Sequence, residues 1–368
     1  MNILYLTNHL NVGGITSYVL TLASGIKQRG HNVFVASSVG QLVPRFIEEG
    51  IDYIYIPIKT KSEVSPKILL SLFKLRRFIN EKNIDIIHSH TRVTQVLGCL
   101  IQHYFHKRHI STCHGFFKKR FSRILFPCWG LKVIAISPSV KEHLLQDFKV
   151  KEKNIKVIYN GIDLNRFNPL TSPALKVEIK KSLRLGDGPV IGIVARLSDV
   201  KGHIYLLQAM KIVLNYFPLA QLFIVGEGKM RDELLKLTRD LGIENNVFFM
   251  PEVQDTKKVL SIMDLFVMPS LEEGLGLALM EAMASGLAVI GSDVGGIRNL
   301  IQDGENGLLV KPGDSNEISQ AILEILQNPE KKELLGKAAR KFISENFSQE
   351  KMVLQTEKVY LECLSARY

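Results

Sequence analysis

Two carboxylates eight residues apart, Glu273 and Glu281, bracket a Gly274-Leu275-Gly276-Leu277 step that leads into an apolar stretch ending at Gly286. Free N–H groups at a glycine-rich helix start can hold an anion or sugar hydroxyls, and carboxylates suit vicinal diols. A carboxylate near a helix N-terminus is also simply stabilising, by about 0.3 to 1 kcal/mol. Glu281, however, is flanked by Leu279, Met280, Ala282 and Met283, and a carboxylate in so apolar a helix needs a partner. Upstream, Arg196 and Lys201 leave the end of one apolar run. Arginine offers a bidentate fork to phosphate and lysine a mobile point charge, which serves a departing diphosphate; solvated loop charges are the alternative reading. Gly13 and Gly14 follow the first apolar run and open a helical one, where an anion site and a tight turn are equally consistent. They are not GxGxxG, and no acidic residue closes the second strand, which argues against a conventional dinucleotide pocket.

The elements that must position these residues alternate strand and helix. Short apolar runs at residues 2–7, 32–37, 53–57, 84–88, 109–113, 133–136 and 155–158 read as buried strands, separated by helical periodicity at 15–29, 66–80 and 91–105. After a polar interval the plan repeats, with strands at 190–195, 221–225, 247–250, 265–268, 288–291 and 307–310. Strands spaced by helices mean parallel βαβ units. The expected organisation is a doubly wound α/β domain at 1–167, a linker at 168–188, a second such domain at 189–345, and a C-terminal helix at 346–368 able to cross back to the first. Ligands of such sheets bind beyond the C-terminal ends of the strands.

Charge separates the halves. The net charge of the 368 residues is +11, yet residues 1–165 hold 23 Lys and Arg against 10 Asp and Glu, or +13, leaving −2 for the rest. Residues 59–82 and 106–132 concentrate the excess; the second run holds Lys107, Arg108, Lys118, Lys119, Arg120, Arg123 and Lys132 with no carboxylate. Phe116, Phe117, Phe121, Ile124, Leu125, Phe126 and Trp129 lie among them. That mixture suits an anionic membrane surface, where each nearby Lys or Arg contributes roughly 1 kcal/mol; a plain solvated face is the bland alternative, and nucleic acid is disfavoured. Residues 1–26 carry no Asp, Glu, Lys or Arg, but polar residues and Gly13-Gly14 interrupt them and no basic segment precedes them, so neither a span nor a secretory signal is expected. Cys99, Cys113, Cys128 and Cys363 lack metal-ligand spacing, and reduced thiols in the cytoplasm are expected.

The segment 269–289 resembles the Glu-x7-Glu element of the retaining glycosyltransferases of family 4, PSxxEGFGLxxLEAMAxGxPV, with Leu275 where Phe is usual and Ala288 where Pro is customary. Gly13-Gly14-Ile15, Cys113-His114-Gly115, Asn160-Gly161-Ile162-Asp163, Arg196 with Lys201-Gly202, and Val225-Gly226-Glu227-Gly228 also match. The resemblance implies the GT-B fold, two Rossmann-like doubly wound domains facing across a cleft. It implies Arg196 and Lys201 as binders of the donor diphosphate and Gly13 and Gly14 as backbone contacts. Glu273 is implied beside the donor sugar, Gly274, Leu275, Gly276 and Leu277 as backbone contacts to sugar and phosphate, Glu281 at the ribose, and His114 near the sugar. Neither metal nor cofactor is implied, because Arg and Lys take over charge neutralisation and no Asp-x-Asp occurs. A UDP-sugar donor and a glycan or lipid-linked acceptor in cell-envelope polysaccharide or lipopolysaccharide synthesis are expected, with the enzyme peripheral on the inner face of the membrane. A sugar-nucleotide epimerase of the same fold is the alternative.

Overall fold

The computed structural model describes residues 1–118, 121–169 and 172–365. Lys119 and Arg120 of the basic segment, Leu170 and Thr171 of the expected linker, and the last three positions of the expected C-terminal helix lie outside the described residues. The strands are β1 Asn2–His9, β2 Asn32–Ser38, β3 Asp52–Tyr55, β4 Ile86–Ser89, β5 Arg108–Cys113, β6 Lys132–Ala135, β7 Ile155–Val157, β8 Val190–Val194, β9 Gln221–Val225, β10 Val247–Met250, β11 Leu265–Met268, β12 Val289–Ser292 and β13 Leu308–Val310. One sheet has the order β3-β2-β1-β4-β5-β6-β7 and the other β10-β9-β8-β11-β12-β13, with every pairing parallel. The chain forms two compact units: residues from Met1 to Gly161 with the helix Gln349–Ser365, and Ile162–Ser348.

A parallel sheet must be covered on both faces, and β1 shows how the sequence arranges it. Ile3 and Tyr5 point to one side, against Val19, Leu22 and Ile26 of the helix Gly14–Gln28 and Met352, Val353 and Tyr360 of the helix Gln349–Ser365. Leu4 and Leu6 point to the other, against Ile68, Leu72, Leu75 and Ile79 of the helix Pro66–Glu81 and Val93, Leu97 and Ile101 of the helix Arg92–Phe105. Each such side chain contributes roughly 1.5–3 kcal/mol on full burial. The second sheet has a comparable core around Ile191, Ile193, Leu222, Ile224, Leu265 and Val267.

Helix starts follow local chemistry. Ser65 caps Pro66–Glu81 by accepting from the Lys67 N–H at 3.4 Å. The same Ser-Pro step, Ser172-Pro173, starts a helix at Pro173–Ser182 within the stretch read from sequence as linker. Its Leu175 and Val177 stay exposed, so no apolar stripe announces it. Trp129, one of the aromatics of the basic segment, is core, 6% exposed and packed edge-on to Phe148.

The first unit buries the imidazoles of His88, His90 and His109 and half-buries that of His114. His88 on β4 is hydrogen-bonded through Nδ1 to the Tyr360 hydroxyl at 2.8 Å and through Nε2 to Thr112 Oγ1 at 2.7 Å, and Tyr360 in turn meets the Tyr5 hydroxyl at 2.9 Å. His109 Nε2 meets Ser89 Oγ at 2.7 Å. Burial pushes His109 and His114 down to about 3 and holds His88 and His90 well below the usual imidazole range. These groups are neutral when folded and charge on unfolding below about pH 6.5, so the unfolded state binds the extra protons. Stability is present above that pH and falls as pH drops towards 3, by up to about 1.4 kcal/mol per histidine per pH unit. The second unit carries a single histidine, His203. The first unit is therefore expected to be the acid-labile one: the urea midpoint read by Trp129, the chain's one tryptophan, should fall steeply between pH 7 and 5. An unchanged midpoint would mean these histidines are not buried neutral.

Candidate active site

In the second sheet β8 and β11 are neighbours from which the chain winds off in opposite directions, and a crevice opens at the C-terminal ends of such a pair. The loop after β8 carries Arg196, then a 3-10 turn Asp199–Lys201, then Gly202 at φ 70° before the helix His203–Val213. The loop after β11 carries Glu273, Gly274 and Leu275 and reaches Gly276 at φ 94°, from which the helix Leu277–Ala284 starts. The Leu271 N–H donates to the Val200 carbonyl at 2.8 Å, tying the two loops. A Cβ on Gly202 would stand 1.8 Å from the Pro269 carbonyl oxygen, so only glycine permits this approach.

The tie brings sequence-distant charges together. Lys201 Nζ donates to Glu273 Oε2, and the two side chains are 19% and 15% exposed. Glu273 Oε1 also accepts from the Gly274 N–H at 3.1 Å. The carboxylate is thus held by a cation on one side and a backbone donor on the other. Arg196 is exposed and, among the described residues, makes no ion pair. Glu281 is buried, 7% exposed, and finds its expected partner in Thr256, whose Oγ1 donates to Oε2 at 2.8 Å. Leu275 is buried in the loop and Leu277 half-buried at the helix start.

From β12 a further loop supports Glu273: the Gly296 N–H donates to the Glu273 carbonyl at 2.9 Å. Thr256 and Gly295-Gly296 escape sequence reading. Thr256 lies 25 residues from Glu281, and the only signal at 295–296 is a glycine pair after an apolar strand.

Gly13, Gly14 and His114 belong to loops of the first unit. Gly13 caps the helix Gly14–Gln28 with no side-chain hydrogen bond, leaving its first N–H groups to other partners. His114, just past β5, places Nε2 3.2 Å from Nδ1 of His90, with the Tyr18 ring edge-on at 4.7 Å. His90 is a partner the sequence reading missed; its alternation with His88 along one strand is the signal that points to it.

Residues 176–342 match the family model described as glycosyl transferases group 1, and residues 12–166 the model described as Glycosyltransferase Family 4. An uncharacterized glycosyltransferase of Methanocaldococcus jannaschii is 30% identical over 95% of this chain and 94% of its own. The chain belongs to glycosyltransferase family 4. The UDP-Gal:alpha-D-GlcNAc-diphosphoundecaprenol alpha-1,3-galactosyltransferase of Escherichia coli is 25% identical over 86% of this chain and 85% of its own. An Anabaena protein solved with UDP and glucose superposes with a TM-score of 0.88 at 24% identity, covering 98% of this chain and all of that one. The fold of this glycosyltransferase is GT-B.

In this family 4 enzyme a Cβ on Gly296 would stand 2.2 Å from the Gly274 carbonyl oxygen and 2.4 Å from the Leu275 Cα. Neither backbone can yield cheaply. Gly296→Ala is expected to cost about 1–3 kcal/mol, the usual range for overpacking, and to shift the urea midpoint read by far-UV circular dichroism accordingly. A midpoint equal to wild type would mean that the 269–276 and 293–296 loops are not packed together.

Proposed function

We propose that the enzyme transfers a sugar from a UDP-sugar, with retention at C1 and without a divalent metal or cofactor, to a glycan or lipid-linked acceptor in cell-envelope polysaccharide or lipopolysaccharide synthesis. The observation that carries this reading is the Arg196, Lys201 and Glu273 constellation on adjacent loops at the strand switch point. As the C1–O bond breaks, negative charge grows on the leaving diphosphate. Fixed cations aimed at that charge lower the barrier more than they tighten ground-state binding. Arg196 and Lys201 fill this role. Glu273, oriented by Lys201 and the Gly274 N–H, faces the sugar, with the backbone of Gly274, Leu275, Gly276 and Leu277 contacting sugar and phosphate. Glu281, fixed by Thr256, takes the ribose hydroxyls. Gly13 and Gly14 keep their phosphate-facing role. His114 stays neutral near the sugar, where it offers a hydrogen bond without a second positive charge.

Retention follows from attack on the face the nucleotide leaves: the acceptor hydroxyl oxygen bonds to C1, and its proton passes to the departing phosphate oxygen. Support for the uridine base comes from the Escherichia coli relative, whose name carries UDP-Gal, and from the Anabaena protein solved with UDP. Support for a peripheral membrane position comes from the first unit, where Val64, Leu70, Phe73, Leu125 and Phe126 are all more than half exposed amid basic residues. No helix among the described residues is long and apolar enough to cross a membrane.

A thermal-shift panel of UDP, GDP, ADP and their sugar conjugates, without added metal, tests the donor. UDP and one UDP-sugar are expected to raise the melting temperature, with stabilisation of about 2.7 kcal/mol at a hundredfold excess over Kd. That shift should vanish in Arg196→Ala. Turnover should fall by about 10²-fold or more in both Arg196→Ala and Lys201→Ala while each folds normally. A shift with GDP alone would move the donor assignment, and no shift with any nucleotide would remove it. Conversion of a UDP-sugar to its epimer without acceptor would replace transfer by epimerisation.

A further inference from the structure

A cavity of about 370 Å³ lies in the first unit at the C-terminal edge of its sheet, lined by Lys61, Glu63, Arg92, Phe117, Lys118 and Arg123 among others. We propose that it is an acceptor subsite for an anionic group, a phosphate or diphosphate carried by the molecule that receives the sugar. The proposal rests on the transferase reading above and adds to it a chemical class of acceptor.

The charges do not balance on their own. Glu63 accepts from Arg92 Nη2 at 2.8 Å and lies 3.8 Å from Arg123 Nε. Burial by itself raises the Glu63 carboxyl, but the hydrogen bond and charge of Arg92, with Ser122 and Arg123, hold it below the usual carboxylate range. Among the described residues that line the cavity, one carboxylate therefore faces four cations. Among the described residues Lys61 and Lys118 have no carboxylate partner. Gathering three surplus positive charges around one cavity is self-repulsive, and an anionic ligand removes that cost.

The cations are also built in. Arg92 is 8% exposed; its Nη1 donates to the Pro127 carbonyl at 2.8 Å and its Nη2 to the Phe126 carbonyl at 2.7 Å, while its buried Nε has no hydrogen-bond partner among the described residues. Arg123 lies over the Phe117 ring at 4.3 Å from the centroid, a cation–π contact that restrains the guanidinium. Planar, positioned guanidiniums with mobile lysines at the rim match the several oxygens of a phosphate or diphosphate. The volume lies in the range of small-ligand sites. Thr91 and Phe116 also line it, in the two loops that carry His90 and His114.

The test uses the full chain carrying Arg196→Ala and Lys201→Ala, which silences the donor's diphosphate site. Trp129, whose ring centroid is 6.3 Å from that of Phe117, reports binding by its fluorescence. Inorganic pyrophosphate, farnesyl diphosphate and farnesol are titrated at low salt. Both diphosphates are expected to give saturable changes and farnesol none. Adding Lys61→Ala and Lys118→Ala, both exposed side chains, should weaken binding at least tenfold, whereas Lys82→Ala, outside the cavity, should not. Farnesyl diphosphate tighter than pyrophosphate by tenfold or more identifies a lipid-borne anion; equal affinities identify a soluble phosphorylated acceptor. Either supports the subsite. Absence of saturable anion binding, or binding unchanged without Lys61 and Lys118, overturns it. If the nucleotide shift of the wild type persists, that failure falls on the subsite alone. Loss of the nucleotide shift with anion binding intact would instead remove the transferase reading.

Discussion

Backbone lying directly on backbone is what the pairing of Lys201 with Glu273 depends on. The loop after β8 can lie against the loop after β11 only because Gly202 lacks the Cβ that would meet the Pro269 carbonyl, and the β12 loop reaches Glu273 only because Gly296 lacks one. These approaches let Lys201 span to Glu273 across 72 residues of sequence. A partly buried Lys–Glu pair is weak evidence for stability, since desolvating the two charges costs about as much as their attraction returns. Its value lies in preorganisation. On the proposed transferase reading, the ammonium and carboxylate are fixed before substrate arrives, so little reorganisation remains to be done as charge develops.

The first unit solves a different problem, a polar row inside an apolar core. Tyr5, Tyr360, His88 and Thr112 satisfy one another in sequence, and His90 meets His114. Such pairing offsets the cost of burying polar groups, although among the described residues His90 Nε2 and His109 Nδ1 find no hydrogen-bond partner. The C-terminal helix supplies Tyr360 and ties itself to the N-terminal half of the unit through Glu357, which meets Arg29 at 2.8 Å and His31 at 2.6 Å. The last helix of the chain thereby supports the strand that leads to His90, although more than 250 residues separate them.

All thirteen strands were legible as short runs between turn residues. Most central ones are largely apolar, the pattern that two-sided burial imposes, whereas the edge strand β3 is only half-buried and is read from its Tyr53-Ile54-Tyr55 β-formers. Glu281 was legible as a carboxylate in need of a partner, but not the partner: a hydrogen bond to Thr256 depends on where the chain between them turns, which no local pattern records. The helix Pro173–Ser182 went unread because Leu175 and Val177 are exposed and periodicity detects only buried faces. Which aromatics of the basic segment are core was not legible either: Trp129 is buried. Its neighbours Ile124, Leu125 and Phe126 do lie at the surface, and composition averages over a segment whose members face different ways.

The charge asymmetry takes on meaning once each unit's geometry is known. In the second unit, near neutral overall, the cations of the proposed donor site are two specific residues, Arg196 and Lys201, and one of them is already paired with Glu273. A broad positive field there would attract any polyanion and discriminate little between nucleotides. In the first unit the excess is instead wide, and it includes a cavity where Glu63 neutralises only part of the local charge. Ionic screening limits such fields to about 8 Å at physiological salt, so surface lysines spread over the unit add little to one another, whereas cations sharing a cavity add fully. Clustering rather than net charge is therefore what distinguishes a recognition site from a solvated face, and Lys61, Arg92, Lys118 and Arg123 meet that criterion.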